Sequence, residues 1–136
     1  MRLWHKDLIK VLPRQQLVSQ WRECCLIAKL VSQTGTPNHI LVNPVTDYPP
    51  EHLVNYASLV YNEMINRGYK CDWEVFADWT KAKERPIFLS KEAYSEIFHD
   101  WHNSRYYDQC YYNLQEKYDR GGLTFTEWAK IARNRA

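Results

Sequence analysis

Hydrophobic residues recur at helical spacing through most of the chain. Between Arg14 and about Ser32, one apolar set is separated by four, three, four and three residues: Leu17, Trp21, Cys24, Ala28 and Val31. This spacing places the set on one face of an α-helix. Pro13 suits the start of such a helix and Gly35 its end.

Similar patterns predict the remaining elements. We expect a second helix over about 51–67 that ends at Gly68, a third over 72 to about 83, a fourth region from Ser90 to Asp119 with a potential break near 102–104, and a short last helix. Thr124 and Glu127 have the spacing of a capping box at the start of that last helix.

The stretch TGTPNHILVNPVTDYPP after the first helix is a long Pro-containing loop, in which only HILVN is a possible extended piece. The chain has 136 residues, 4 Gly, 10 Tyr and 6 Trp. One core of ordinary size and few turns suit this composition. We therefore predict an all-α fold: a compact helical bundle forming a single domain over residues 1–136.

Charge and cysteine usage narrow the class of protein. Residues 1–30 contain six Lys or Arg and two Asp or Glu, although the whole chain has a net charge of only +2. Such a basic front can attract a polyanion, although a solvated basic face is the ordinary interpretation. The four cysteines lack CxxC spacing and no apolar run reaches about 20 residues, so we expect reduced thiols, a cytoplasmic protein and no membrane span.

Several kinds of site find little support. The chain has no nucleotide-binding glycine loop and no serine nucleophile elbow. His99 and His102, with Cys110 further along, make a metal site conceivable, but this set is incomplete and histidines on a helix surface are the ordinary interpretation. We expect neither a metal nor an organic cofactor.

A tyrosine cluster follows these histidines. Tyr107 and Tyr111 are expected in the core, whereas Tyr106 and Tyr112 are expected to be more exposed. Exposed tyrosines here could stack on nucleic-acid bases or form part of an apolar patch that binds another protein.

The polar face of the first helix carries candidate chemistry. Gln15, Ser19 and Arg22 share one stripe, and Glu23 borders it as the only carboxylate between Asp7 and Asp47. A surface salt bridge would explain this lone acid, and such a bridge contributes little to stability. A general acid or base among cations would also explain it, but the residues alone favour the salt bridge.

The N-terminal residues resemble a known family. The matching residues are Arg2-Leu3, Leu12, Gln15, Leu17 and the triplet WRE at 21–23. Together they resemble the start of the pyrimidine-dimer DNA glycosylase family, the phage endonuclease V type. Two further stretches resemble later segments of the family: PNHILV and EHLVNYASLVYNEMINRGY. The likeness covers residues 1–30 well and 36–69 moderately.

The resemblance implies a mechanism. Members flip a nucleotide opposite a cyclobutane pyrimidine dimer, attack the sugar with an N-terminal amine to give a Schiff base, and cleave the backbone by β-elimination. Glu23 matches the catalytic acid. Because Arg2 follows Met1 directly and methionine is normally retained before a bulky residue, the amine of Met1 would take the place of the nucleophile.

The resemblance also implies a DNA-binding set. Arg2 and Arg22 match arginines that contact phosphate and substrate, Gln15 a DNA-contacting glutamine and His39 a loop histidine. Arg14 belongs to the same basic front, so we add it to the set. Leu26 stands where the family has a further arginine, and the family's aromatic C-terminal tail is absent, so we expect weaker binding that depends less on salt.

We therefore predict a DNA repair glycosylase with abasic-site lyase activity that acts on pyrimidine dimers or related lesions in double-stranded DNA. The alternatives are a non-catalytic nucleic-acid-binding protein on the same scaffold, or a cytoplasmic protein-interaction module. The enzyme requires the Met1 amine close to Glu23 in a basic cleft. The binding protein requires only the cleft, and the interaction module requires an apolar patch around Tyr106 to Tyr112.

Overall fold

A computed structural model describes residues 1–136. Its helices are listed here in chain order: a 3-10 helix at Lys6–Val11, α1 at Arg14–Thr34, a 3-10 helix at Asn43–Asp47, α2 at Pro50–Asn66, α3 at Trp73–Thr80, α4 at Lys91–Glu96, α5 at Ser104–Asp119 and α6 at Phe125–Arg135. The chain contains no strand. The all-α prediction is confirmed, and the extended piece predicted at HILVN is wrong, because those residues form a turn and the start of the second 3-10 helix.

Helix α1 is the centre of the bundle. It packs most extensively against α3 and α2, through the apolar face that its spacing predicts. Gly35 ends the helix with φ of 81°, a left-handed conformation that an amino acid with a Cβ rarely adopts. The predicted start at Arg14 is confirmed, and the helix runs two residues beyond the predicted end at Ser32.

The later helices differ more from the bounds that the sequence predicts. Helix α3 ends at Thr80 rather than near residue 83, because Lys81 takes a left-handed conformation and its N–H donates to the Ala77 carbonyl. The capping box of Thr124 and Glu127 is confirmed. Between α4 and α5 the chain leaves the helical path from Ile97 to Asn103, a longer interruption than predicted.

The tyrosine prediction is partly wrong. Tyr106 is buried, because its hydroxyl donates to the Leu3 carbonyl at 2.6 Å inside the protein. Tyr112 is exposed as expected, and Tyr107 and Tyr111 are half-buried. Tyr106 therefore cannot contribute to the apolar patch that an interaction module would need in the region of Tyr106 to Tyr112.

All four cysteines are free thiols, two of them buried and two half-buried. The helices are each too short or too polar to cross a membrane.

Candidate active site

Residues 2–4 lead from a half-buried Arg2 into the protein interior, and side chains of distant helices bind their backbone. The Arg2 N–H donates to Glu23 Oε2 at 3.1 Å, and the Trp4 N–H donates to Gln20 Oε1 at 2.6 Å. The Arg2 carbonyl accepts from Gln20 Nε2 at 2.8 Å. Because this segment has no regular structure of its own, these side chains fix its position.

Gln20 joins these contacts into one network. Its side chain is fully buried, and besides its bonds to Arg2 and Trp4 its Nε2 donates to Glu23 Oε2 at 3.1 Å. The Tyr56 hydroxyl lies 2.6 Å from the Trp4 carbonyl oxygen and 2.9 Å from Gln20 Oε1. A glutamine amide offers two donors and one acceptor oxygen, and all of them are used here. The network therefore fixes which way the amide points.

Glu23 receives two of these hydrogen bonds on one oxygen and is half-buried. Its carboxylate faces the start of the chain. Since one residue spans at most about 3.6 Å, the α-amine of Met1 lies no more than about 7 Å from Glu23 Oε2. The amine therefore lies near the acid without forming an ion pair with it.

Met1 and Glu23 line a cleft of about 410 Å³ between α1, α5 and the loop after α1. The complete lining is Met1, Arg2, Trp4, Gln15, Gln16, Ser19, Gln20, Glu23, Leu41, Asn113 and Lys117. Its ionisable groups are the amine, Arg2, Lys117 and the single carboxylate of Glu23. The cleft therefore has an excess of positive charge around one acid.

The structure brings four of the seven residues predicted for the site into this cleft: Met1, Arg2, Gln15 and Glu23. Arg22 is exposed on α1 outside the cleft lining. Arg14 is exposed too, with its guanidinium 5.0 Å from the centre of the Tyr69 ring. His39 also lies outside the lining, where its Nδ1 accepts the Leu41 N–H at 3.3 Å.

The Arg2 side chain points partly inward. Its guanidinium lies 5.6 Å from the centre of the Trp4 ring, and Nη1 lies 3.9 Å from Cys110 Sγ. Burial raises the pKa of the Cys110 thiol, so this sulfur stays neutral and is only a weak acceptor. Arg2 therefore lines the cleft without a carboxylate partner for its guanidinium.

Sequence reasoning missed Gln20 and the α5 wall formed by Asn113 and Lys117. Gln20 had a signal in the sequence, since it is a polar residue at a core position of α1 between Leu17 and Cys24. No such signal existed for α5, whose residues reach the cleft only through the fold.

The histidines considered as metal ligands do not converge. His99 is exposed, whereas His102 is buried and its Nδ1 accepts the Lys6 N–H at 3.0 Å. No group of three or more His, Cys, Asp or Glu side chains in the chain is arranged to hold a metal ion.

A family model described as pyrimidine dimer DNA glycosylase matches residues 1–76, which is more than half of the chain. The chain belongs to this family. Membership indicates glycosylase function with DNA as the substrate. The match contains the amine, Glu23 and Gln20, whereas the α5 wall lies outside it. Searches of curated proteins and of solved structures found no significant match.

Proposed function

We propose that this member of the pyrimidine dimer DNA glycosylase family is both a glycosylase and an abasic-site lyase, acting on pyrimidine dimers or related lesions in double-stranded DNA. The α-amine of Met1 is the nucleophile and Glu23 is the acid and base. One observation carries the proposal: Glu23 Oε2 lies 3.1 Å from the amide nitrogen of Arg2, the residue next to the amine, in an open cleft.

The chemistry needs a nucleophile and a proton carrier. The amine attacks C1′ of the deoxyribose, and the N-glycosidic bond breaks with its electrons leaving on the base. The attacking nitrogen loses a proton and the departing base takes one up; the C1′–O4′ bond then breaks as O4′ takes a proton from the acid, which gives the protonated imine. Removal of a C2′ proton then expels the 3′ phosphate, and water releases the enzyme. α-Amines as a class have pKa values of about 7.7–8.0, so part of the population is nucleophilic at neutral pH.

Glu23 is placed to serve these steps. Its Oε2 accepts hydrogen bonds from two N–H donors, which fix the position of the side chain, and a carboxylate at this position can stabilise the cationic imine. Its other oxygen receives no hydrogen bond from the protein, so it can exchange protons with the sugar.

The DNA contacts divide into two groups. Arg2, Gln15 and Lys117 line the cleft and can contact the phosphates that flank the reacting sugar. Arg22 and Arg14 lie outside it on α1 and are exposed, so they can contact phosphates further along the duplex. His39 acts instead through the turn that it stabilises.

Borohydride trapping tests the proposal. Untagged protein, with its N-terminal Met1 checked by intact mass, is mixed with abasic-site duplex and with dimer-containing duplex and then reduced. We expect a covalent adduct that maps to Met1 and disappears when two residues are added before Met1. The same two residues added after Ala136 provide the control.

Glu23→Gln should lower the rate of strand cleavage by about 10²–10⁴-fold, the range for loss of a general acid or base. The fold should remain, because the new amide oxygen can still accept the Arg2 N–H. Glu74→Gln, at an exposed position on α3 away from the cleft, is the matched control. Absence of an adduct with folded wild-type protein on either DNA would contradict the lyase mechanism, and retained DNA binding would then favour the non-catalytic alternative.

A further inference from the structure

Two adjacent large apolar side chains stand in solvent beside the cleft. Ile40 is 84% exposed and Leu41 is 46% exposed. Leu41 lines the cleft together with Met1 and Glu23, and Ile40 lies next to it outside the lining. A single exposed apolar residue needs no explanation, whereas adjacent ones at the rim of a site suggest contact with a partner.

The turn that carries them, residues 38–43, is held by hydrogen bonds. Asn43 Oδ1 accepts the His39 N–H at 2.9 Å, while the His39 carbonyl accepts the N–H groups of Val42 and Asn43 at 3.0 and 2.8 Å. The Leu41 N–H donates to His39 Nδ1. The turn therefore presents Ile40 and Leu41 on a stiff support.

The next residue anchors this support in the core. Val42 is fully buried, so the turn cannot rotate to bury Ile40 without exposing Val42. The exposed positions of the apolar pair are thus a consequence of the fold.

We propose that Ile40 and Leu41 form an apolar wedge that enters the base stack of the duplex beside the nucleotide whose sugar lies in the cleft. The inference rests on the proposed function, because it takes the cleft as the place of the sugar. Proteins that kink DNA insert apolar side chains between base steps. An extruded nucleotide also leaves a gap in the stack, which an apolar group can fill.

Continuity with the cleft favours DNA as the partner. The same opening holds the amine, Arg2 and Lys117, so a surface that contacted Leu41 would also meet these cations. A duplex offers phosphates to the cations and apolar base faces to the wedge within one ligand.

The first test measures unstacking apart from catalysis. A duplex carries a tetrahydrofuran abasic analogue, which cannot form an imine, next to 2-aminopurine, whose fluorescence rises when it leaves the stack. Saturating wild-type protein should raise the fluorescence, and the double variant Ile40→Ser with Leu41→Ser should bind without that rise. The matched control is Ile87→Ser with Phe88→Ser, an adjacent pair with exposures of 74% and 85% on the loop between α3 and α4.

The second test compares substrates. On abasic duplex the double variant should cleave at least about tenfold more slowly than wild type, because the cost of opening the stack is no longer offset. On single-stranded abasic DNA, which has no duplex stack to open, the double variant's loss of cleavage rate relative to wild type should be at least about tenfold smaller.

The outcomes separate the two proposals. Equal fluorescence and equal duplex cleavage by wild type and the double variant would overturn the wedge while leaving the imine mechanism in place. A wild-type protein that unstacks the duplex and gives no trapped adduct would overturn the lyase mechanism and retain the wedge. No binding of the duplex by wild type would overturn the wedge, and the apolar pair would then be a surface for a protein partner.

Discussion

Residues Arg2 to Trp4 and residues His5 to Lys6 are neighbours in the chain, and both are bound to distant parts of the fold, but with different results. The first group is bound through the neutral amide of Gln20 and borders an open cleft. In the second group, Lys6 Nζ donates to the carbonyls of Tyr94, Ser95 and Ile97 at 2.9, 3.1 and 2.7 Å. The first group borders the cleft that contains the proposed nucleophile and acid, whereas the second fastens α4 to the N-terminal segment.

The difference shows why cavity size alone is a poor guide to the site. The second group adjoins a cavity of about 610 Å³, larger than the cleft. Its charged groups already have partners, however, since Lys6 is bound to three carbonyls and Arg135 pairs with Asp108 at 3.0 Å. The smaller cleft contains an amine, an unpaired arginine and an acid with one free oxygen, and these can act on a substrate.

The largest expected effect comes from a substitution that removes the contacts holding the first group, Arg2 to Trp4. Gln20→Met should lower the free energy of unfolding by about 3 kcal/mol, because it leaves the Trp4 N–H and the Arg2 carbonyl without partners inside the protein. Denaturant unfolding measures this change. Any Gln20→Met protein that still folds should also lose imine trapping, because the segment that positions the amine is no longer fixed.

Gln16→Met is the matched control on the same helix. The Gln16 Oε1 is buried and already lacks a hydrogen-bond partner, so its removal should change stability much less. Equal destabilisation by the two substitutions would show that the Gln20 network does not hold the N-terminal segment.

The two groups also differ in how far the sequence could predict them. The resemblance of the first residues to the family predicts Glu23 near Met1, and the two residues line one cleft. Asn113 and Lys117 also line this cleft, although they are far from Met1 and Glu23 in the chain. No local pattern encodes such contacts, since they depend on how α5 packs.

A smaller effect is expected from the second group. Lys6→Met should lower the free energy of unfolding by about 2 kcal/mol, because the three carbonyls at the end of α4 lose a charged donor. Relief of the cost of burying the ammonium offsets part of the loss. Hydrogen exchange should rise in α4, and imine trapping by the folded protein should persist.

Lys10→Met, at an exposed position in the same 3-10 helix, controls for loss of a positive charge. If Lys6→Met abolished imine trapping while the protein remained folded, the contacts of Lys6 would also be needed to position the amine, and the two groups would not act independently.

Contacts with distant residues also explain why the sequence did not predict the full length of the break between α4 and α5. The sequence from Ile97 to Asn103 contains no Gly or Pro, yet Phe98 has φ of 49°, a left-handed conformation that is costly for an aromatic residue. Tertiary contacts support it, since the Phe98 N–H donates to His52 Nδ1 at 3.0 Å. A break supported by distant residues leaves no mark in the local sequence.

The smallest expected effect is a change in how the stability of the protein depends on pH, and it concerns the second group. His102 in the second group accepts the Lys6 N–H on Nδ1, and burial, with His5 and Lys6 nearby, lowers its pKa from 6.5 to about 2. The unfolded chain binds a proton below pH 6.5 where the folded chain does not, so stability falls as the pH falls. From about pH 7.5 to about pH 5.5 this group should lower the free energy of unfolding by about 1.4 kcal/mol.

The test is His102→Asn, whose side-chain oxygen can still accept the Lys6 N–H. This variant should reduce the pH dependence by that amount, and His99→Asn, which removes an exposed imidazole, is the control. Denaturant unfolding at both pH values measures the difference, and an unchanged slope in His102→Asn would mean that His102 binds a proton as readily in the folded protein as in the unfolded chain.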